Sequence, residues 1–449
     1  MISLGCAKNL VDTEVALGHF VRCGAAITTN ENDADVLIVN TCGFIAPARD
    51  ESLGEIDAAL RIRREGRCRC LVVAGCLVER YREALSRELP EVDRFVGVGD
   101  PAAVVSAVCD VLGRAGGTDV GAILRSDYLY DHTTPRVRAT PPWYAWVKVA
   151  EGCDHECAFC VIPQIRGPYR SRTMDSVVAE VRQLVSEGVR EVNLIAQDTT
   201  RFGSDTTGQR PRPTLARLLR RLVDETDAAW VRVLYCFPDR MTEELIEVMG
   251  SSPRIAPYVD LPLQHVSTHV LRTMRRGGSG AKYRDLIARI RDRIPGVAVR
   301  TAFIVGFPGE TERRFHQLRA FVEKVRFDRL FVFPFSREEG TAAAEMEDQV
   351  AEEVAEERRD ILMSLQARIS QELNRRWVGS VVPVLCETVE GSGPDRRKVV
   401  VGRTVRDAPE VDLGVRVVGT TARPGQFVRA RVTKAFEYEM VGVAAGRPW

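Results

Sequence analysis

The stretch Glu151-Gly152-Cys153-Asp154-His155-Glu156-Cys157-Ala158-Phe159-Cys160 spaces three cysteines as C-x3-C-x2-C, with no fourth cysteine in reach. A structural zinc site takes four protein ligands and closes its coordination sphere. Three thiolates on a short loop instead suit a 4Fe-4S cluster with one iron left open. An open iron can chelate the amino and carboxylate groups of S-adenosylmethionine, which an electron then cleaves to a carbon radical.

Working outward, the cysteine loop follows an apolar run at 144–149. Further candidate strands lie at 191–196, 231–235, 258–263, 298–305 and 329–335. Helical patterns near 175–187, 214–225, 242–249, 267–275, 281–293 and 311–325 separate them. Six strand–helix units over 141–348 predict a partial parallel (β/α)6 barrel, three-quarters of the closed eightfold form. In such a barrel the chemistry sits at the carboxyl ends of the strands, where Gln197 and Asp198 end the second strand; they are candidate cofactor or substrate contacts.

Residues 1–116 alternate in the same way. Strands are expected at Ile2–Leu4, Val36–Val39, Leu71–Ala74 and Phe95–Val98, with helices at 13–22, 45–64, 78–88 and 101–113. This predicts an open parallel α/β domain with helices on both faces. The first strand is short against an average of about five to six residues, which suggests a segment clipped upstream. Three similar fragments, Ser3-Leu4-Gly5-Cys6, Val39-Asn40-Thr41-Cys42 and Val73-Ala74-Gly75-Cys76, each place a cysteine where a strand ends. Those ends line the crevice where open sheets bind ligands. Adjacent strands lie about 4.8 Å apart, so Cys6, Cys42 and Cys76 can converge on a second three-cysteine cluster. Gly5, Gly43 and Gly75 would let backbone approach it. Two open clusters suggest a division of labour. One makes a radical that takes hydrogen from an unactivated carbon, and the other supplies the sulfur that traps the resulting carbon radical.

Periodicity lapses over 117–140, read as a linker, and a charged helix is expected over 349–377. From Val378 the pattern turns to short β-rich runs, and 378–446 predicts a small antiparallel β-barrel of the OB-like sort.

Net charge is only +1, so bulk electrostatics do not point to a nucleic-acid binder, and no DNA partner is expected. No apolar run approaches the roughly 18 to 20 residues that span a bilayer. The run Met1–Cys6 lacks a secretory leader, which makes the cytoplasm the expected compartment. Twelve cysteines there read as metal ligands or structural thiols rather than disulfides. His265 and His269 are four apart without an H-E-x-x-H glutamate, so solvated or capping roles are expected. Exposure in the loop is the simple expectation for His155.

The C-x3-C-x2-C loop resembles that of the radical S-adenosylmethionine superfamily, in which the position of Phe159 lies beside the adenine. With the second triplet and the C-terminal barrel, essentially the whole chain resembles the methylthiotransferases, which join a three-cysteine domain, a radical barrel and a TRAM domain. The resemblance implies two 4Fe-4S clusters, on Cys6, Cys42 and Cys76 and on Cys153, Cys157 and Cys160. It implies S-adenosylmethionine as both methyl donor and radical source, and a small reductant protein such as flavodoxin or ferredoxin. It also brings Gly306, Gly309 and Glu310, at the end of a barrel strand, near the cofactor's adenine.

The family divides by substrate into a transfer-RNA adenosine branch and a branch acting on an aspartate of ribosomal protein S twelve. The runs Ser3–Asp12, Asn40–Ile45, Gln197–Thr200, Leu261–His265 and Phe335–Thr341 resemble the second branch. Thr13 stands where that branch usually has serine. Residues 378–449 carry eleven Lys and Arg against eight Asp and Glu, a net +3, which is mild for a module gripping phosphates. The expectation is therefore methylthiolation of the aspartate β-carbon in S twelve, bound through the TRAM domain. The alternatives are a transfer-RNA methylthiotransferase and a ribosome- or RNA-binding protein whose clusters are structural.

Overall fold

Four parallel strands, each feeding a helix that folds back over the sheet, open the computed structural model, which describes residues 1–99, 101–113, 128–206, 208, 212–392, 398–412 and 414–449. In chain order these are β1 (Ile2–Ser3), α1 (Ala7–Arg22), β2 (Val36–Thr41), α2 (Ala46–Glu65), β3 (Cys70–Gly75), α3 (Cys76–Glu88), β4 (Arg94–Val96) and α4 (Ala102–Val111). The sheet order is β1-β2-β3-β4. Leu37, Val39, Leu71 and Val73 pack against Ile56 of α2 and Leu77 of α3. Ile38, Cys70 and Val72 face Val104 and Val108 of α4 on the other side. Burial on both faces explains why these strands read as continuous apolar runs.

Helix α1 starts at Ala7, six residues before the expected position. Its first turns are polar, and tertiary bonds to the sheet satisfy them. The Asn9 amide donates to the carbonyls of Leu4 (2.8 Å) and Asn40 (3.2 Å), and Asn40 donates to Thr13 Oγ1 (2.8 Å). An apolar-period reading cannot see that pattern.

The central domain comprises β5 (Tyr144–Lys148), β6 (Ala150–Glu151), α5 (Ile162–Arg166), β7 (Arg170–Ser171), α6 (Met174–Ser186), β8 (Glu191–Ile195), α7 (Leu215–Glu225), β9 (Trp230–Val233), α8 (Glu243–Ser251), β10 (Tyr258–Gln264), α9 (Thr268–Thr273), α10 (Gly280–Arg293), β11 (Ala298–Val305), α11 (Glu312–Val325) and β12 (Arg329–Pro334). The six main strands form two parallel sheets, β5-β8-β9 and β10-β11-β12. A bridge between Val231 and Ile255 and the bond from Cys236 N to Asp260 O (2.9 Å) join them. The small β6–β7 hairpin and α5, which frame the cysteine loop, are too short to leave a periodic signal. Helix α1 of the first domain packs into this partial barrel. Val11 and Val15 lie among Trp146 of β5, Ile195 of β8, Leu234 just past β9, and Tyr258 of β10.

Helix α12 (Glu352–Arg375) packs Leu362, Leu365 and Ile369 into the barrel core and leads to the C-terminal domain. There β13 (Val381–Ser392), β14 (Lys398–Thr404), β15 (Gly414–Thr420), β16 (Phe427–Ala435) and β17 (Glu439–Ala444) close a barrel in the order β13-β14-β15-β17-β16. The expected all-antiparallel pairing needs one correction: β15 and β17 run parallel. With β16 reaching back across the barrel, that pairing closes the sheet and leaves no free edge. Polar side chains on and after β14 meet the amino ends of the central strands. Arg403 Nη2 pairs with Glu191 Oε2 (2.7 Å), Arg329 Nη2 with Asp407 Oδ1 (2.6 Å), and the Tyr258 hydroxyl with Asp412 (2.5 Å). Glu191, Tyr258 and Arg329 each begin a strand, so this domain closes the end opposite the cysteines.

Of the segment read as a linker, 117–127 lies outside the described residues. The rest packs tightly: Tyr130 is buried, and Arg136 bridges Glu14 of α1 (2.5 Å) and Glu180 of α6 (2.6 Å).

Candidate functional site

The first triplet forms at three strand-to-helix turns. Cys6 caps α1 behind β1, Cys42 follows β2, and Cys76 opens α3 directly behind β3. Ser52 of α2 holds the Cys42 turn by accepting from its amide (3.0 Å) and donating to its carbonyl (2.8 Å). Gly5 has φ +84°, and a side-chain carbon there would sit 2.8 Å from Cys42 Sγ. Only glycine permits that approach. The Gly5→Ala chain is therefore expected to lose the first triplet's capacity for iron while keeping the second's. Iron analysis after reconstitution should fall from about eight to about four per chain, with near-native far-ultraviolet circular dichroism.

Burial, with the neighbouring thiols adding to it, pushes Cys42 up to about 11, and burial also raises Cys76. For Cys6 burial acts in the same sense, but Lys8 and Arg166 overcome it and lower the thiol. The three thiols thus lie close enough to sense one another's charge.

The second triplet lies on the loop between β6 and α5. Gly152 (φ +81°) makes the turn where a side-chain carbon would meet Pro168 O at 2.1 Å. Backbone bonds then pin the loop: Cys153 N to Gly167 O (3.0 Å), Ala158 N to Met274 O (3.0 Å) and Ala343 N to Ala158 O (2.8 Å). Arg276 Nη1 donates to Cys157 Sγ (3.6 Å). Burial pushes Cys153 up to about 11 and Cys160 up to about 12.

Among the described residues, no three His, Cys, Asp or Glu side chains gather closely enough for a single metal ion. A mononuclear zinc site would hold its sulfurs about 3.8 Å apart, given Zn–S bonds near 2.3 Å. A four-iron cube carries its cysteines further apart, at its corners. Two separate thiol triplets, one cradled against a glycine and one on a pinned loop, each supply the three thiolates that a cluster with an open iron takes. A further fit comes from Gln197, whose Oε1 is buried without a partner.

A buried charged network runs from the first triplet to the end of β6, which leads into the loop of the second. Arg166, the last residue of α5, donates to Cys76 Sγ (3.5 Å), Asn9 Oδ1 (3.3 Å), Asp12 (2.6 Å) and Glu151 (3.4 Å). Lys148 bridges Asp12 and Glu151, each at 2.5 Å, and Gln197 Nε2 reaches Glu151 at 2.7 Å. Burial would favour the neutral acid at Glu151, but Lys148 and Arg166 hold it down to about 2. The sequence reading missed Lys8, Asn9, Asp12, Lys148, Glu151 and Arg166. Their signal was adjacency, because each lies within a few residues of a cysteine ligand candidate.

Phe159 packs edge-on to Phe307 (6.4 Å) within an apolar wall that includes Ile304 and Phe335. Gly306 (φ +72°) turns where a side-chain carbon would strike Ala355, and Gly309 (φ +79°) is tied to Asp348. The carboxylates of Asp198 and Glu310 are engaged by the protein itself. Asp198 bonds His155 (2.8 Å) and Thr200 (2.5 Å), while Glu310 bonds His265 (3.0 Å), Arg358 (2.8 Å) and the Gly306 amide (2.5 Å). Two histidines depart from expectation. His155 is stacked on Phe237 (4.1 Å) rather than loosely exposed, and His265 is fully buried against Glu310 rather than solvated, though its Nδ1 accepts from the Ser267 amide (3.0 Å) ahead of α9, as the capping alternative expects. Acids distant in the sequence hold both rings.

Residues 147–322 match the Radical SAM superfamily, residues 1–97 the uncharacterized protein family UPF0004, and residues 378–444 the TRAM domain. The chain is 46% identical to the ribosomal protein uS12 methylthiotransferase RimO of Pelobacter propionicus, over 98% of this chain and 96% of that one. The protein of that name from Myxococcus xanthus is 43% identical, over 100% and 92%. Among solved structures, the radical S-adenosylmethionine methyltransferase TsrM from Kitasatospora setae shares the fold, with a TM-score of 0.53 at 15% identity over 84% of this chain and 76% of that one. With three domains matched in order and relatives of this identity along nearly its full length, the chain belongs to the RimO family of radical S-adenosylmethionine methylthiotransferases.

Proposed function

We propose that this chain transfers a methylthio group to the β-carbon of an aspartate in ribosomal protein uS12, using S-adenosylmethionine as methyl donor and as radical source. One observation carries the reading: the Arg166 guanidinium touches both Cys76 of the first triplet and Glu151, two residues before Cys153 of the second. Cys153, Cys157 and Cys160 would hold one 4Fe-4S cluster, and Cys6, Cys42 and Cys76 the other. When bound, these groups supply a radical that takes hydrogen and a sulfur that replaces it.

The chain's own residues do the rest. Arg276 and the pinned backbone keep Cys157 and its loop in place. Gln197 Oε1 offers an acceptor to an incoming amine or hydroxyl, and Phe159 contributes an apolar wall with Phe307 and Ile304. Asp198 and Glu310 act by bracing the cysteine loop and the Gly306 turn. Val11 and Val15 of α1 fill the barrel below and keep water out.

The C-terminal barrel closes the opposite end, so it would grip uS12 at a distance from the chemistry. Exposed Phe436 and Tyr438 offer contact there. A small reductant protein such as flavodoxin or ferredoxin would deliver the electrons. Among the described residues no helix is long and apolar enough to cross a membrane, in keeping with a ribosomal substrate met in the cytoplasm.

Incubation of the anaerobically reconstituted protein with S-adenosylmethionine, a reductant and uS12 is expected to yield 5′-deoxyadenosine and uS12 heavier by one methylthio group. Methylthiolation of transfer-RNA adenosine instead, or S-adenosylmethionine left intact, would overturn the reading.

A further inference from the structure

We propose that Arg300 and Lys8, set on either side of Tyr235, hold the side-chain carboxylate of the aspartate to be modified, and so select an acidic protein side chain as substrate. The inference rests on the function proposed above and names the residues that choose its substrate.

Arg300 is the third residue of β11, opposite Asp260 of β10 and Arg329 of β12. Along β11, Val299, Thr301, Phe303 and Val305 are buried, whereas Arg300, Ala302 and Ile304 are only half-buried. Strand alternation places these three together on one face. The Arg300 guanidinium lies over the ring of Phe331 (4.6 Å to its centre). Its ion contact with Asp260 is long, at 3.7 Å. The other oxygen of Asp260 is already taken by the Tyr235 amide at 2.9 Å. Among the described residues the Arg300 side chain makes no hydrogen bond, although its side chain is only 17% exposed. A guanidinium carries five N–H donors, and leaving them unmet in a partly desolvated place is costly.

Lys8 is held by the Tyr235 side chain and not by an acid. It is 8% exposed, and its ammonium sits 3.4 Å from the centre of the Tyr235 ring. Among the described residues no carboxylate pairs with it. It also occupies the first turn of α1, which has no acidic residue, where the helix dipole disfavours a cation. Buried lysines are rarely left without a partner. The nearby cations Lys148 and Arg166 differ sharply, for Asp12 and Glu151 satisfy both.

Tyr235 ties the pair together: its ring lies against the Lys8 ammonium, and its amide shares the Asp260 carboxylate with Arg300. It has φ +60°, an uncommon conformation for a residue with a bulky side chain. Bonds from its amide to Asp260 and from Thr199 N to its carbonyl (3.0 Å) hold it there. Such retained strain gathers at functional sites. An arginine with one long ion contact and a lysine with no carboxylate partner, beside a strained tyrosine and close to Cys6, make an anion site. An arginine fork suits a planar carboxylate in two-point contact, and a lysine adds a point charge. A neutral adenine ring would leave both charges unpaired, so the site favours aspartate over a nucleobase.

Lys8 also lies near Cys6, so the test turns on Arg300. Binding of recombinant uS12, carrying either aspartate or asparagine at the modified position, is measured on the reconstituted full-length protein and its Arg300→Gln and Arg300→Lys variants. The parent is expected to prefer the aspartate form by about ten- to a hundred-fold, the range of a hydrogen bond to a charged group. In Arg300→Gln that preference should fall to within about two- to three-fold, and Arg300→Lys should restore part of it. If Arg300→Gln weakens both forms equally and keeps the preference, Arg300 serves only the fold and the inference fails. A parent that modifies uS12 yet binds both forms alike overturns the inference while leaving the function standing. A parent that neither binds nor modifies uS12 overturns both.

Discussion

The Cys157→Ala chain, reconstituted with iron and sulfide, is expected to hold about four irons where the parent holds about eight, and to release no 5′-deoxyadenosine. Cys157 is the middle ligand candidate of the loop, and the loop's fold does not depend on its sulfur. The bonds from Ala158 N to Met274 O and from Ala343 N to Ala158 O are backbone contacts that survive the change. Cys157 is half-buried, so stability should move by no more than about 1 kcal/mol. Function and fold thus separate in one variant. Iron content and S-adenosylmethionine cleavage measured on the same sample decide the matter. An unchanged iron count with continued cleavage would remove the second triplet from the proposal.

Arg166→Met should destabilise the chain by about 3–5 kcal/mol, the usual cost of removing one partner from a buried ion cluster. Arg166 is fully enclosed where the first domain meets the barrel, and its guanidinium serves Asp12 and Asn9 on α1, Glu151 beside the cysteine loop, and Cys76. Methionine fills much of the same volume but leaves Lys148 as the one cation paired with Asp12 and Glu151. Arg166→Lys restores the charge without the fork, and should recover part of the loss because it cannot reach four partners at once. Denaturant unfolding of the metal-free, reduced chain measures the effect without a contribution from bound iron. A loss below about 1 kcal/mol for the methionine variant would show that the network is only loosely coupled to the fold. Burial also raises Cys76, which the guanidinium opposes, so Arg166→Met should in addition slow iron uptake by the first triplet.

Much of the architecture was legible because its signals are local. The strand–helix period over 144–335 and the similar fragments around Cys6, Cys42 and Cys76 were enough to place six barrel strands and two thiol triplets. Where the reading slipped, a distant partner was at work. Helix α1 begins at Ala7 because Asn9 and Thr13 are satisfied by β1 and β2, and the parallel pairing of β15 with β17 follows from closure of the C-terminal barrel. The positions of half-buried His155 and buried His265 depend on Asp198 and Glu310, which lie 43 and 45 residues further along the chain.

Residue order alone determined the two cysteine triplets proposed as ligand sets and the fold class, since cysteine spacing and apolar period are properties of neighbours along the chain. Tertiary structure alone decided that Arg166 ties Cys76 to Glu151, that α1 fills the open barrel, and that Lys8 lies over Tyr235 while Arg300 keeps one long ion contact with Asp260. Desolvation and charge pairing act between groups brought together through space, and no period along a strand or helix records which of them will meet.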